Sequence, residues 1–374
     1  MFRGLWIIVA AGLLHAQAWK PVIPKTWEAA ALAGLHVPLA HAPATPTHVA
    51  TEYYYRIPVR TLYQSYPVYH PDREPPGYLE KLGQQEPEAF DAARLKTQAD
   101  WVKAGELVFL SPLGYSPLDI LPIAAIRAGR VPVTAEGIVG FSRYVVRKKG
   151  QVEWGVAGCG FCHTRVLPDR PVIQGAQGNV PTAGLLELPG GGTRWLAPWL
   201  RPDPNEPIAA LSVQERTALR RAAMPAGVQA RHSGLVYPVA TSDLIGVKDR
   251  RYFDRTGFIR HRTIGDLMRY AALVTGMDVM DRFGDYEKPA LPDSATLSRY
   301  SDEQLYALAL YLYSLQPPPN PNKPDALSAR GKTVFEREGC AGCHTPPLYT
   351  NNTLTPAQGF TVPEDHQTKF NVMP

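Results

Sequence analysis

The chain has 374 residues, a formal net charge of +5 and 45% hydrophobic residues, enough length and apolar material for one large domain or two modest ones. The charge is mild and VVRKKG at 145–150 is too short to form a basic stripe, which argues against nucleic acid as a partner. With 37 prolines and 31 glycines, both above average usage, much of the chain is expected to be irregular and wrapped around its core.

The first 18 residues read as a secretory signal peptide. Arg3 supplies a short positive region, Leu5 to Leu14 an apolar run, and Ala16-Gln17-Ala18 a small-x-small cleavage site. An uncleaved N-terminal anchor is the alternative. No other run approaches the length needed to cross a bilayer, so no stable membrane span is expected after cleavage. The mature chain is expected to start near Trp19 and to be periplasmic or otherwise exported.

Residues 19–96 form an extended Tyr- and Pro-rich segment. TEYYYRIPVRTLYQSYPVYHPDREPPGY at 51–78 carries Pro58, Pro67 and Pro71, which argue against a regular central strand, so it reads as a segment wrapped over the domain that follows. ADWVKAGELVFLSP at 99–112 has helical spacing, with Gly105 and Phe109 on its pattern. A long Pro-rich insertion then precedes the first cysteines.

All four cysteines stand in two copies of one pattern: Cys159, Cys162 and then His163 in AGCGFCHTR, and Cys340, Cys343 and then His344 in GCAGCHTPP. A disulfide inside each pair closes a very small loop and adds little, because cross-link stabilisation grows with loop length. A four-sulfur zinc site would draw its ligands from opposite parts of the chain. Neither explains a histidine directly after each pair. Covalent haem attachment explains all three residues: two thiols add across the vinyl groups of one haem, and the adjoining His supplies the proximal nitrogen to iron. The expected cofactors are therefore two covalently bound haems c, held by Cys159, Cys162 and His163 and by Cys340, Cys343 and His344, with iron on His163 and His344.

The sixth iron ligand decides whether a haem only passes electrons or also binds oxygen or peroxide. For the first haem the candidates are Met224, His232, His261, Met268, Met277 and Met280. VATSDLIGVKDRRYFDRTGFIRHRTIGDLMRYAAL at 239–273, the two haem motifs and TPPLYTNN after the second together resemble the di-haem cytochrome c peroxidase and rubber oxygenase superfamily. That resemblance implies His261 as distal ligand. It equally admits an open first haem under Tyr252, Phe253 or Phe258, with Arg260 or Arg262 as catalytic candidates that stabilise a bound peroxide charge.

LSRYSDEQLYALALYLYSLQPPP at 297–319 predicts a strong helix, capped at Ser301 and ended by prolines. It looks like the C-terminal helix of a cytochrome c domain, which packs against the first. A stiff linker at 318–324 leads to a helix over DALSARGKTVFEREG, which runs into the second motif as in a class I cytochrome c; Gly331 there is expected to admit another helix. Met373 and His366 are the downstream candidates for the second sixth ligand, and no closing helix pattern follows. This second domain therefore reads as incomplete at its C-terminus.

The expected organisation is mainly α: residues 1–18 a signal peptide, 19–96 an extended segment, 97–317 a cytochrome c-like domain with a long irregular insertion, 318–324 a linker, and 325–374 a second, partial cytochrome c-like domain. The expected function is electron transfer through two haems to a redox partner protein or a small donor or acceptor. The alternative is a haem peroxidase or oxygenase with an open first haem fed by the second. A zinc-stapled binding domain is a third reading.

Overall fold

The computed structural model describes residues 19–37, 47–118, 126–127, 131–156, 158–180, 212, 214–215, 228–229, 239–253, 257, 259–275, 280–283, 286–287, 298–356 and 372–373. The signal-peptide stretch 1–18 lies outside them. The helices are α1 (Ala29–Ala33), α2 (Thr51–Arg56), α3 (Tyr78–Gly83), α4 (Gln98–Leu110), α5 (Cys159–Cys162), α6 (Ile264–Thr275), α7 (Asp302–Ser314) and α8 (Ala326–Arg337). Among the described residues no helix is long and apolar enough to cross a membrane.

The chain is not mainly α. Strands β1 (Ser65–Tyr69), β2 (Gly114–Ser116), β3 (Ile138–Lys148) and β4 (Gln151–Val156) form one antiparallel sheet in the order β1-β3-β4-β2, so the fold mixes α and β. The described part of the stretch expected as an irregular insertion supplies three of these strands. The run IVGFSRYVVRK is rich in β-branched and aromatic residues and almost continuously buried, which favours a strand covered on both faces over a loop. Pro67 sits in β1, an edge strand, where its missing N–H costs no ladder bond on the open side. The register shifts between Pro67 and Val68.

Helices α4 and α7 form the centre of the helical layer. Each opens with a reciprocal capping box, Thr97 with Asp100 and Ser301 with Gln304. They meet at Gly105, where a Cβ would stand 2.0 Å from the Ala307 carbonyl oxygen, so only glycine allows this approach. Trp101 packs edge-on to Tyr306 at 5.6 Å, and Phe109 lies 5.3 Å from Tyr311. Met268, Leu305, Leu308 and Val108 complete one core. A second core lies on the sheet, built from Val68, Val139, Phe141, Tyr144, Trp154 and Phe161.

The N-terminal segment docks on the start of α7. The Thr26 N–H donates to Asp302 Oδ1 at 3.0 Å, the Tyr55 hydroxyl lies 3.2 Å from each Asp302 oxygen, and Lys25 Nζ is 3.6 Å away. Trp27 and Leu35 are fully buried behind this clasp. By contrast α8 buries no residue, Leu327 is 67% exposed, and a Cβ on Gly331 would meet nothing within 4 Å. The close helix expected over Gly331 is not seen among the described residues.

Candidate metal centres

The first motif folds as the single turn α5, entered through Gly158 at φ 119. That left-handed backbone favours glycine, and a Cβ at this position would also stand 2.7 Å from the Ser111 carbonyl oxygen. The turn sits on the seam between the two cores. Cys159 packs against the helical core, while Phe161 is part of the sheet core and Cys162 lies against it. Gly178 crosses directly behind, with a Cβ there 2.0 Å from the Cys162 carbonyl oxygen. Packing thus fixes the backbone of the turn that carries both thiols.

None of the four cysteines is joined in a disulfide. Burial, with the neighbouring Cys162 adding to it, pushes the Cys159 thiol up to about 12. Among the described residues no three His, Cys, Asp or Glu side chains gather as a metal-binding group, so the two cysteine pairs do not converge.

The histidines carry the clearest signal. His163 Nδ1 lies 2.9 Å from the Ser242 carbonyl oxygen, and His344 Nδ1 lies 3.1 Å from that of Tyr349. A carbonyl only accepts, so each Nδ1 carries a hydrogen, and in the neutral form of the ring the lone pair lies on Nε2. A carbonyl on the far nitrogen is the arrangement that fixes tautomer and ring orientation in metal-bound histidines. The donor set of each motif therefore fits a covalently attached haem: two thiols on one turn and an adjacent imidazole with Nε2 as the ligating atom. The second motif differs in exposure. Cys340, Cys343 and His344 are exposed, with Phe335 of α8 6.4 Å from the His344 ring.

The distal candidates are placed as follows. His261 is 9% exposed; its Nδ1–H donates to the Arg250 carbonyl at 2.7 Å, and its Nε2 accepts from the Tyr313 hydroxyl at 2.5 Å. Burial lowers its pKa, opposed by the Arg250 carbonyl, so the ring is neutral. For Nε2 to reach an iron, Tyr313 must first be displaced. Met268 is fully buried in the helical core. Phe253 is also core, stacked on Tyr270 at 5.0 Å and 4.4 Å from His261, while Tyr252 pairs with Arg260 in a short ladder.

Arg262 is held by Asp266 through Nε and Nη2, each at 2.9 Å, and donates to the Ala31 carbonyl at 3.4 Å. Its charge serves this clasp. The Arg260 N–H donates to the Leu35 carbonyl at 2.8 Å. Met224, His232, Phe258, Met277 and His366 lie outside the described residues, and the side chains of Met280 and Met373 lie outside what is described. The carbonyls of Ser242 and Tyr349 carry no signature in the sequence, since any residue offers one. Gly178 and Tyr313 could be found only through their partners in space.

No family model, curated protein or solved structure matches the chain.

Proposed function

We propose that the chain is an exported two-haem c-type cytochrome that passes electrons to and from a redox partner protein or a small donor or acceptor. The observation that carries the reading is the repeated outer hydrogen bond: in both Cys-x-x-Cys-His motifs the histidine Nδ1 faces a backbone carbonyl, at 2.9 and 3.1 Å. Two motifs that consume every cysteine and share this feature have one economical explanation. The export signal read at the N-terminus agrees with it, because covalent haem attachment and exported thiol chemistry occur in the same compartments.

When bound, the haems supply a one-electron iron couple. The chain's own contribution is to hold the imidazoles. Ser242 and Tyr349 keep His163 and His344 in the tautomer that presents Nε2. A carbonyl acceptor on Nδ1–H also raises the basicity of the ring. Around the first motif, Cys159 and Phe161 are anchored in separate cores, so the turn cannot rotate without disturbing both. Around the second, the exposed turn is open to a docking partner.

A pyridine haemochrome measurement on protein matured with haem-ligation machinery tests the proposal. The expected result is two haems c per chain, falling to one in Cys159→Ala/Cys162→Ala and to one in Cys340→Ala/Cys343→Ala. No c-type absorption in the wild type overturns it. Carbon monoxide binding by the ferrous protein would mark a displaceable sixth position and shift the assignment to oxygen or peroxide chemistry.

A further inference from the structure

Four observations converge on residues 242–252. The Ser242 carbonyl faces His163 Nδ1 of the first motif at 2.9 Å. The Arg250 carbonyl accepts from His261 Nδ1 at 2.7 Å, and the Arg250 side chain ties the segment to itself through Asp243 and the Ile245 carbonyl. From the other side, Asn352 Oδ1 accepts from the Arg251 N–H and Asn352 Nδ2 donates to the Asp249 carbonyl, each at 2.9 Å. Leu348 reaches toward Gly246, where a Cβ would lie 3.5 Å from Leu348 Cδ2.

The loop that makes this contact begins at the second motif. Asn351 N–H donates to the Cys343 carbonyl at 2.9 Å, and Asn351 Nδ2 to the Gly342 carbonyl at 3.0 Å. Within it, Tyr349 and Asn352 adopt φ 57 and φ 56, a region that non-glycine residues enter at a cost unless surrounding contacts enforce it. Both conformations serve the same end: Tyr349 turns its carbonyl to His344 Nδ1, and Asn352 turns its amide to the 249–251 backbone. Asparagine suits the position because it tolerates the left-handed region and offers donor and acceptor on one planar group.

We propose that Asn352 is a positioning residue that couples the two haem motifs, by clamping the loop which holds His344 onto the segment which holds His163. The inference rests on the two-haem reading above. It places a run of covalent and hydrogen bonds between the two proximal imidazoles: His163, Ser242 to Arg251, Asn352, Tyr349, His344. With haems held by the two motifs, electron exchange between them would be a single transfer, one iron oxidised as the other is reduced, with no proton or co-reactant required. Asn352 would hold the two haem-bearing segments in fixed register for it.

The test uses the full two-haem protein and Asn352→Gly, which keeps the left-handed backbone at no steric cost while deleting the amide. Two readouts apply. Intramolecular electron transfer after flash photoreduction is expected to slow about tenfold in Asn352→Gly, the lower end for loss of a contact that orients metal ligands. Amide exchange at Arg251 is expected to be protected in the wild type and to accelerate in the variant, while haem content stays at two per chain. Asn352→Asp, which loses the bond to the Asp249 carbonyl but keeps an acceptor for the Arg251 N–H, should slow the transfer while leaving the Arg251 amide protected. An unchanged rate in Asn352→Gly overturns the coupling, and so does an Arg251 amide unprotected in the wild type. The exchange arm reads the clamp without reference to haem. A wild type lacking c-type absorption defeats the proposed function, whereas a two-haem wild type with no response at Asn352 defeats only this inference.

Discussion

Replacing Gly178 by Ala probes the support behind the first motif. The added Cβ would stand 2.0 Å from the Cys162 carbonyl oxygen, 2.9 Å from its carbon and 3.3 Å from the Thr164 oxygen. All three are backbone atoms and no side chain can swing aside. The neighbouring chain is also pinned: Gly175 N–H donates to the His163 carbonyl at 2.7 Å, and Asn179 bonds Val166 twice, at 2.9 and 2.8 Å. Relieving the overlap means moving this segment by about 1 Å. That costs about 1–3 kcal/mol of overpacking strain and about two hydrogen bonds at about 1 kcal/mol net each. A total of about 3–5 kcal/mol lowers Tm by about 6–20 °C for a domain of this size. The assay is thermal unfolding by circular dichroism together with haem count, with the first site expected to lose occupancy before the second. Gly83→Ala is the control, because its Cβ would meet only Val152 Cγ2 at an ordinary 3.8 Å. A Gly178→Ala protein that melts with the wild type and retains both haems would refute the idea that backbone contact positions Cys162.

Asp302→Ala should release the N-terminal segment, because it strands the buried Thr26 N–H and the Tyr55 hydroxyl. The expected loss is about 1–3 kcal/mol, read as a lower urea midpoint and as earlier proteolytic cleavage near residues 19–37. Burial, reinforced by repulsion from His48, lowers the His36 pKa from 6.5 to about 3. The unfolded chain therefore binds the extra proton first, and stability should fall as pH drops below 6.5, by up to about 1.4 kcal/mol per unit. Urea midpoints measured between pH 6.5 and 5 should decline less steeply in His36→Gln; equal slopes would show that His36 is not buried neutral.

The two Cys-x-x-Cys-His patterns were legible because they are local: two thiols and an imidazole stand at fixed spacing within one turn. The same holds for the cap of α7, where Ser301 satisfies the Gln304 N–H within four residues; the matching box of Thr97 and Asp100 on α4 is equally local but was not read from the sequence. The mainly α reading failed because a Pro-rich stretch looks irregular when read alone. The run at 138–148 becomes a strand only through pairing with residues 65–69 and 151–156, one of them distant in the chain. Arg262 looked like a free cation near a reactive site, yet a carboxylate one helical turn on, Asp266, holds it.

The sequence by itself supplied the donors offered to the proposed haems, Cys159, Cys162, His163, Cys340, Cys343 and His344, two thiol pairs each followed by an imidazole. Tertiary structure alone decided how those imidazoles are oriented. Ser242 and Tyr349 contribute only a carbonyl, which every residue type possesses, and Asn352 meets Arg251 across 101 positions of chain. A backbone acceptor leaves no trace in composition or spacing. Its role exists only where the fold brings it within 3 Å of a ring nitrogen, as Ser242 is at 2.9 Å.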